Sequence, residues 1–268
     1  MSARNPNPAI LEPTTLGSSA PVLALVRDGV SLPVLARALA ACEPKPRAVL
    51  VRGPVPLDWL DAIMAADAEV WLVLRQVPNE SLRAWLRASR ERVRVMLAVM
   101  PGSAPVGEWL ARIDTLQGDG LRVQVSLEPL IHGKTDTRAV LGELLAGLAE
   151  RGLRQVSMGY LALDQPTEDW VLRTQGEDAG LLLAQYREGP MGQIPGRGAV
   201  RLLPRNRRQR CYAGLHALAA EHGLQLCISP LANPDFDRPR NSAPPANRQS
   251  LSDAYLAGGL PRRLEALL

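Results

Sequence analysis

Short apolar runs alternate with amphipathic stretches along most of the chain. Runs rich in Val, Leu and Ile predict strands over 21–26, 47–52, 69–77, 93–100, 121–127, 155–161 and 224–229. Between them, apolar positions recur at helical spacing. They predict helices over 31–41, 57–66, 107–116, 136–150 and 205–222, and one opened by Asn79 as N-cap and running through Arg90. Gly152 and Gly223 stand where two of these helices should stop. The rhythm breaks over 164–198, which is long and Gly-rich, with helical character only around 181–186. Residues 200–203 read as a further short strand.

Strand-then-helix units joined by a few residues imply a parallel sheet with right-handed crossovers. Seven or eight such units in 268 residues predict an α/β fold of the (β/α) barrel kind, complete or partial. A flat doubly wound sheet is the competing arrangement. The barrel is expected over 21–230. Residues 1–20, rich in Pro, Asn, Thr and Ser, read as a disordered leader, and 231–268 as a Pro- and Asn-rich loop followed by a short helix.

Composition narrows the function classes. Apolar residues make up 46% and charged residues 22%, as in an ordinary globular protein, with no run long enough to span a bilayer. The leader lacks a charged start followed by an apolar stretch, so it does not read as a secretory signal. Three scattered cysteines, Cys42, Cys211 and Cys227, have no metal-ligand spacing and form no closed disulfide framework. The expectation is a soluble, cytoplasmic protein with no membrane partner and no metal. Gly-x-Gly-x-x-Gly after a strand, a Walker loop, Gly-x-Ser-x-Gly and His-Glu-x-x-His do not occur. Six arginines between Arg197 and Arg210 could meet phosphates. No aromatic residues are interleaved for base stacking, so a solvated helix face is expected and nucleic acid is not.

In barrels, chemistry sits just after the strands. Read there, the candidates are Asp28, Arg52, Arg75, Glu128, His132, Lys134 and Tyr160. Glu128 follows an apolar strand and could accept hydrogen bonds or act as a general base. His132 could titrate near neutral pH. Glu128 and His132 are therefore the catalytic candidates, and Asp28, Arg52, Arg75, Lys134 and Tyr160 the ligand-binding ones. Arg52 and Arg75 end neighbouring strands, an arrangement suited to a carboxylate or phosphate. The alternative is mutual neutralisation of Arg52 and Arg75 by Asp28 and Glu128, with Thr135 or Asp136 capping the next helix.

Three stretches carry a family resemblance. They are VQVSLEPLIHGKTDTRAVLGELLAGLAERGLRQVSMGYL, EVWLVLRQVPNESLRAWL and RLLPRNRRQRCYAGLHALAAEHGLQLCIS. Together they resemble the radical S-adenosylmethionine barrels of the spore photoproduct lyase type, over about residues 45–230. That family holds a 4Fe–4S cluster with Cys-x-x-x-Cys-x-x-Cys after its first strand. The corresponding loop here, 27–31, has no cysteine. The resemblance thus implies a degenerate, cluster-less barrel, a pseudoenzyme acting as partner or regulatory subunit of an active enzyme. No 4Fe–4S cluster is expected, while S-adenosylmethionine or a related nucleoside remains open as a ligand, and a protein partner or a homo-oligomer is implied. The alternative is a metal-independent barrel enzyme, of lyase or isomerase type, acting on a small anionic substrate through Glu128 and His132.

Overall fold

The computed structural model describes residues 11–14, 23–26, 31–41, 48–53, 55–194, 198–228, 233, 235 and 236. The chain opens with β1 (Leu11–Thr14) and β2 (Leu23–Val26), then α1 (Leu32–Ala41) and β3 (Ala48–Arg52). It continues through α2 (Leu57–Ala65), β4 (Glu69–Leu74), α3 (Glu80–Ala88), β5 (Val93–Val99) and α4 (Val106–Gly118). Next come β6 (Val123–Leu130), α5 (Arg138–Glu150), β7 (Gln155–Tyr160), α6 (Gln165–Thr174) and α7 (Ala179–Ala184). The described elements end with β8 (Met191–Ile194), β9 (Gly198–Arg201), α8 (Arg205–Glu221) and β10 (Gln225–Ile228).

The main sheet runs in the order β1-β2-β3-β4-β5-β6-β7-β10. From β2 onward every neighbouring pair is parallel, and only β1 is antiparallel. The parallel strands follow one another in sequence order, without the reversal that defines a doubly wound sheet. Right-handed crossovers advancing in one direction put the helices on one face and leave the other free to curve into a barrel wall. β1 and β10 form the two edges, so the sheet is open among the described residues. The fold is α/β with a partial barrel, as the alternation of elements predicts.

Strand alternation divides the side chains between two environments. Val70, Leu72, Val95, Leu97, Val125 and Leu127 are fully or almost fully buried, in one core with Leu60, Ile63, Leu86 and Ile113 of the helices. The opposite set, including Leu50, Val73, Met96, Ala98 and Ser126, faces a cavity. Asn79 caps α3 as predicted, its side chain accepting the Leu82 N–H at 3.0 Å. Gly152 and Gly223 follow α5 and α8 with φ of 74° and 71°, the left-handed geometry that stops a helix.

Three parts depart from the sequence expectation. Residues 11–14 of the expected leader are a strand, β1. The stretch 164–198 is more ordered than its glycines suggest: it carries α6, a 3-10 turn at Gly176–Asp178, α7 and β8. The strand expected at 200–203 is β9, and it pairs antiparallel with β8 in a separate hairpin. A bridge between Leu163 and Arg201 ties this hairpin to the end of β7, and Ala162, Ile194, Val200 and Leu202 bury one another there.

One ionic clamp joins two of the helices. Asp119, just past α4, accepts from Arg83 Nε at 2.6 Å and Nη2 at 2.8 Å, and from Arg87 Nη1 at 2.9 Å. The Arg83 guanidinium, seconded by Arg87, holds the Asp119 carboxyl below its ordinary value of 3.8. A carboxyl depressed in the folded state stabilises above its unfolded value and loses that contribution as pH falls through the folded one. Urea unfolding midpoints should therefore drop below pH 3.8, and part of that drop should vanish in Asp119→Asn. Equal acid sensitivity of the two proteins would show that the clamp contributes nothing.

Candidate ligand site

The C-terminal ends of β3 to β7 surround a cavity of about 1280 Å³. Its floor is apolar on one side, where β3, β4 and β5 contribute Leu50, Val73, Met96 and Ala98. It is polar on the other, where β6 contributes Ser126 and Glu128. The pairing of β6 with β7 shifts register between Leu127 and Leu130, an irregularity of the kind that re-aims side chains at strand ends. Glu128 sits at this shift and is half-buried, and its bond to Pro129 is cis. The roof comes from the insertion: Asp164, Thr167 and Trp170 at the start of α6, with Ile194 of β8. Asp164 caps α6, Oδ1 accepting the Thr167 N–H at 3.0 Å.

Arg52 and Arg75 line the cavity from neighbouring strands, and both are exposed. The Arg75 carbonyl accepts from Arg112 Nη1 at 3.2 Å, so its backbone is held while its guanidinium has no ion pair among the described residues. Arg52 and Glu128 likewise have no side-chain ion pair or hydrogen bond among the described residues. Glu128 therefore does not neutralise the two arginines, as the mutual-pairing alternative requires. Asp28, the other proposed partner, lies outside the described residues.

Two of the expected site residues go elsewhere. Lys134 reaches across to the insertion, its Nζ donating to Gln175 Oε1 at 2.9 Å and lying 3.2 Å from Asp178 Oδ2. His132 is turned into a separate cluster at the start of the β6–α5 loop. Its Nδ1 lies 2.9 Å from Asp136 Oδ2 and 3.4 Å from Cys211 Sγ of α8. Neither residue lines the cavity. Tyr160 belongs to both places. It is among the cavity-lining residues, while its hydroxyl donates to Asp136 Oδ2 at 2.8 Å. Burial, then the charge of Asp136, drives the Tyr160 phenol far above its ordinary range, so it stays a neutral donor.

Thr135 and Asp136 do not cap α5. The Thr135 hydroxyl accepts the Ile131 N–H at 2.7 Å, and Asp136 Oδ1 accepts the Gly133 N–H at 2.7 Å, fixing the loop itself. Sequence reading passed over Ser126 and Trp170, and took Asp136 only as a possible helix cap and Cys211 only as a scattered cysteine. Ser126, a hydroxyl in an apolar strand two residues before Glu128, was a legible signal.

No protein-family profile and no curated protein matches the chain. Solved structures do. Spore photoproduct lyase complexed with a dinucleoside spore photoproduct superposes with a TM-score of 0.51 at 11% identity, covering 75% of this chain and 67% of that one. A single-substitution mutant of that enzyme gives 0.52 at 13% identity, over the same shares of the two chains. The chain shares the α/β, barrel-type fold of that enzyme. Likeness at such identities concerns architecture and leaves the chemistry to the site.

Proposed function

We propose that this chain is a cluster-less, radical-SAM-like barrel that binds a small anionic or zwitterionic ligand of the nucleoside class and serves as a non-catalytic partner of an active enzyme. The observation that carries this is one cavity whose lining includes the Arg52 and Arg75 guanidiniums and the Glu128 carboxylate, none of these three ion-paired among the described residues. Charged groups that converge on one cavity without partners of their own are free to meet a charged ligand. Arg52 and Arg75 suit a carboxylate or phosphate, and Glu128 an ammonium or ribose hydroxyl. S-adenosylmethionine carries a carboxylate and an ammonium at one end, a ribose between, and at the other end an adenine that suits an apolar floor. The cavity exceeds the roughly 300–1,000 Å³ of common small-molecule sites. The similar solved enzyme holds a dinucleoside photoproduct. The sequence has no Cys-x-x-x-Cys-x-x-Cys with which to carry a cluster.

Leu172, Leu181 and Met191, the exposed large apolar side chains among the described residues, all belong to the insertion between β7 and α8. Among the described residues no helix is long and apolar enough to cross a membrane.

Calorimetric titration with S-adenosylmethionine tests the reading. Saturable binding is expected, weakened roughly tenfold in Glu128→Gln through loss of one charge-assisted contact. Absence of heat, or identical affinity in the variant, would reject the assignment. The second reading is an enzyme with Glu128 as general base, favoured by the same unpaired carboxylate. Since His132 is outside the cavity, Glu128 would act without it. Binding kept but turnover lost in Glu128→Gln would decide for that reading.

A further inference from the structure

We propose that His132, Asp136 and Cys211 form a binding site for a divalent metal ion of the zinc class, with Tyr160 orienting one ligand. The proposal is independent of what the cavity binds. His132 Nδ1, an Asp136 carboxylate oxygen and Cys211 Sγ all lie within 4.8 Å of one another. They come from two distant parts of the chain, the β6–α5 loop and the middle of α8, so the fold assembles them. Nitrogen, oxygen and sulfur donors together suit Zn²⁺ above the hard cations Mg²⁺ and Ca²⁺.

The contacts argue against one simpler arrangement. In a Cys-His-Asp relay the imidazole bridges its partners with opposite nitrogens. Here the thiol and the carboxylate approach the same nitrogen, Nδ1, at 3.4 Å and 2.9 Å. In the metal-free cluster an Nδ1 hydrogen donates to Asp136, and the Cys211 thiol has the Tyr160 hydroxyl as its other partner. A cation would take the place of that hydrogen, with nitrogen, carboxylate oxygen and sulfur all close enough to face it.

The dimensions fit with a small adjustment. Zn–N and Zn–S bonds of about 2.0 and 2.3 Å give a tetrahedral N···S edge of about 3.5 Å. The Cys211–His132 separation is 3.4 Å. The 2.9 Å His132–Asp136 edge would open by a few tenths of an ångström on loading.

The supporting contacts also match a metal site. The Tyr160 hydroxyl donates to Asp136 Oδ2, and the Gly133 N–H holds Oδ1, so the carboxylate is aimed before any ion arrives. The Tyr160 ring packs edge-to-face on Tyr212, the residue after Cys211, at 5.2 Å, which fixes α8 against the loop. A thiolate and a carboxylate balance the charge of the dication. Three protein ligands leave a tetrahedral ion one open position, the composition typical of catalytic rather than structural zinc.

The full chain, stripped with chelator and loaded with Zn²⁺ or Co²⁺ alone, provides the test. Stoichiometric zinc should survive dialysis. Cobalt should give a thiolate-to-metal charge-transfer band that is absent in Cys211→Ser and kept in Cys227→Ser. Zinc affinity should fall roughly 10- to 100-fold in Tyr160→Phe, which touches no metal. The wild-type spectrum is decisive even where a variant folds poorly: no charge-transfer band with cobalt overturns the site. A band unchanged in Cys211→Ser overturns it as well.

Discussion

Replacing Arg208 with methionine should lower the thermal unfolding midpoint by roughly 10 °C. Arg208 is 1% exposed, within a helix whose arginines the sequence presents as a solvated face. Its Nε donates to the Leu203 carbonyl at 2.7 Å, Nη1 to Asn233 Oδ1 at 2.7 Å, and Nη2 to Asp235 Oδ2 at 2.5 Å. The guanidinium also lies 4.7 Å from the centre of the Phe236 ring. One planar fork thus joins the start of α8 to the described residues that follow β10. Methionine fills comparable space but takes the guanidinium donor away from a half-buried carboxylate, the Asn233 amide oxygen and the Leu203 carbonyl. Breaking a buried pair on one side costs about 3–5 kcal/mol. In a domain of this size each kcal/mol moves the midpoint by roughly 2–4 °C. Lysine should recover little, because a single ammonium cannot reproduce the three-way fork. Arg210 is exposed, and Arg210→Met should stay within about 0.5 kcal/mol of wild type. Similar midpoints for the Arg208 and Arg210 variants would show that the buried network contributes no stability.

The largest functional effect is expected from Arg52→Gln combined with Arg75→Gln. Each guanidinium can contribute about 1.5–3 kcal/mol to a charged ligand. Together they should account for roughly a 100-fold or greater loss of affinity for S-adenosylmethionine or a nucleoside monophosphate. Both side chains are exposed and have no ion pair among the described residues, so the unfolding midpoint should barely move. That separation of binding from stability distinguishes a ligand clamp from a structural pair. Affinity for an uncharged nucleoside should change far less. A double variant that binds the anionic ligands as tightly as wild type would remove the arginines from the site.

The sheet was readable because strands such as β3 and β4 are nearly continuous apolar runs, buried along almost their whole length. The strand-end rule also found Arg52, Arg75 and Glu128, since the parallel sheet brings those ends to one rim. It failed for Lys134, which lies four residues beyond the end of β6, where the loop carries it toward Gln175. Helix α6 was legible in principle: Asp164 as N-cap, Pro166 in the first turn and Glu168 form a start signal. The glycines downstream obscured it. The His132–Asp136–Cys211 cluster was not legible. Its third member arrives from α8 through tertiary packing, which no local spacing encodes. For the same reason the arginines of α8 gave no sign that Arg208 alone turns inward.

The order of strands also bears on how the sheet assembles. From β2 to β7 each strand pairs with its sequence neighbour; Val95 and Val123, for instance, stand about 28 positions apart. β10 pairs with β7 across about 70, Gln225 against Gln155, because the insertion and α8 lie between. Closing the longer loop is entropically less favourable by several tenths of a kcal/mol, and it delays a contact that local closures do not wait for. Among the described residues β10 also has a strand neighbour on one side only. The last strand to join is therefore the one best placed to open first. Its departure would loosen α8, carrying Cys211 and Arg208 away from their partners while β3 to β6 stay zipped.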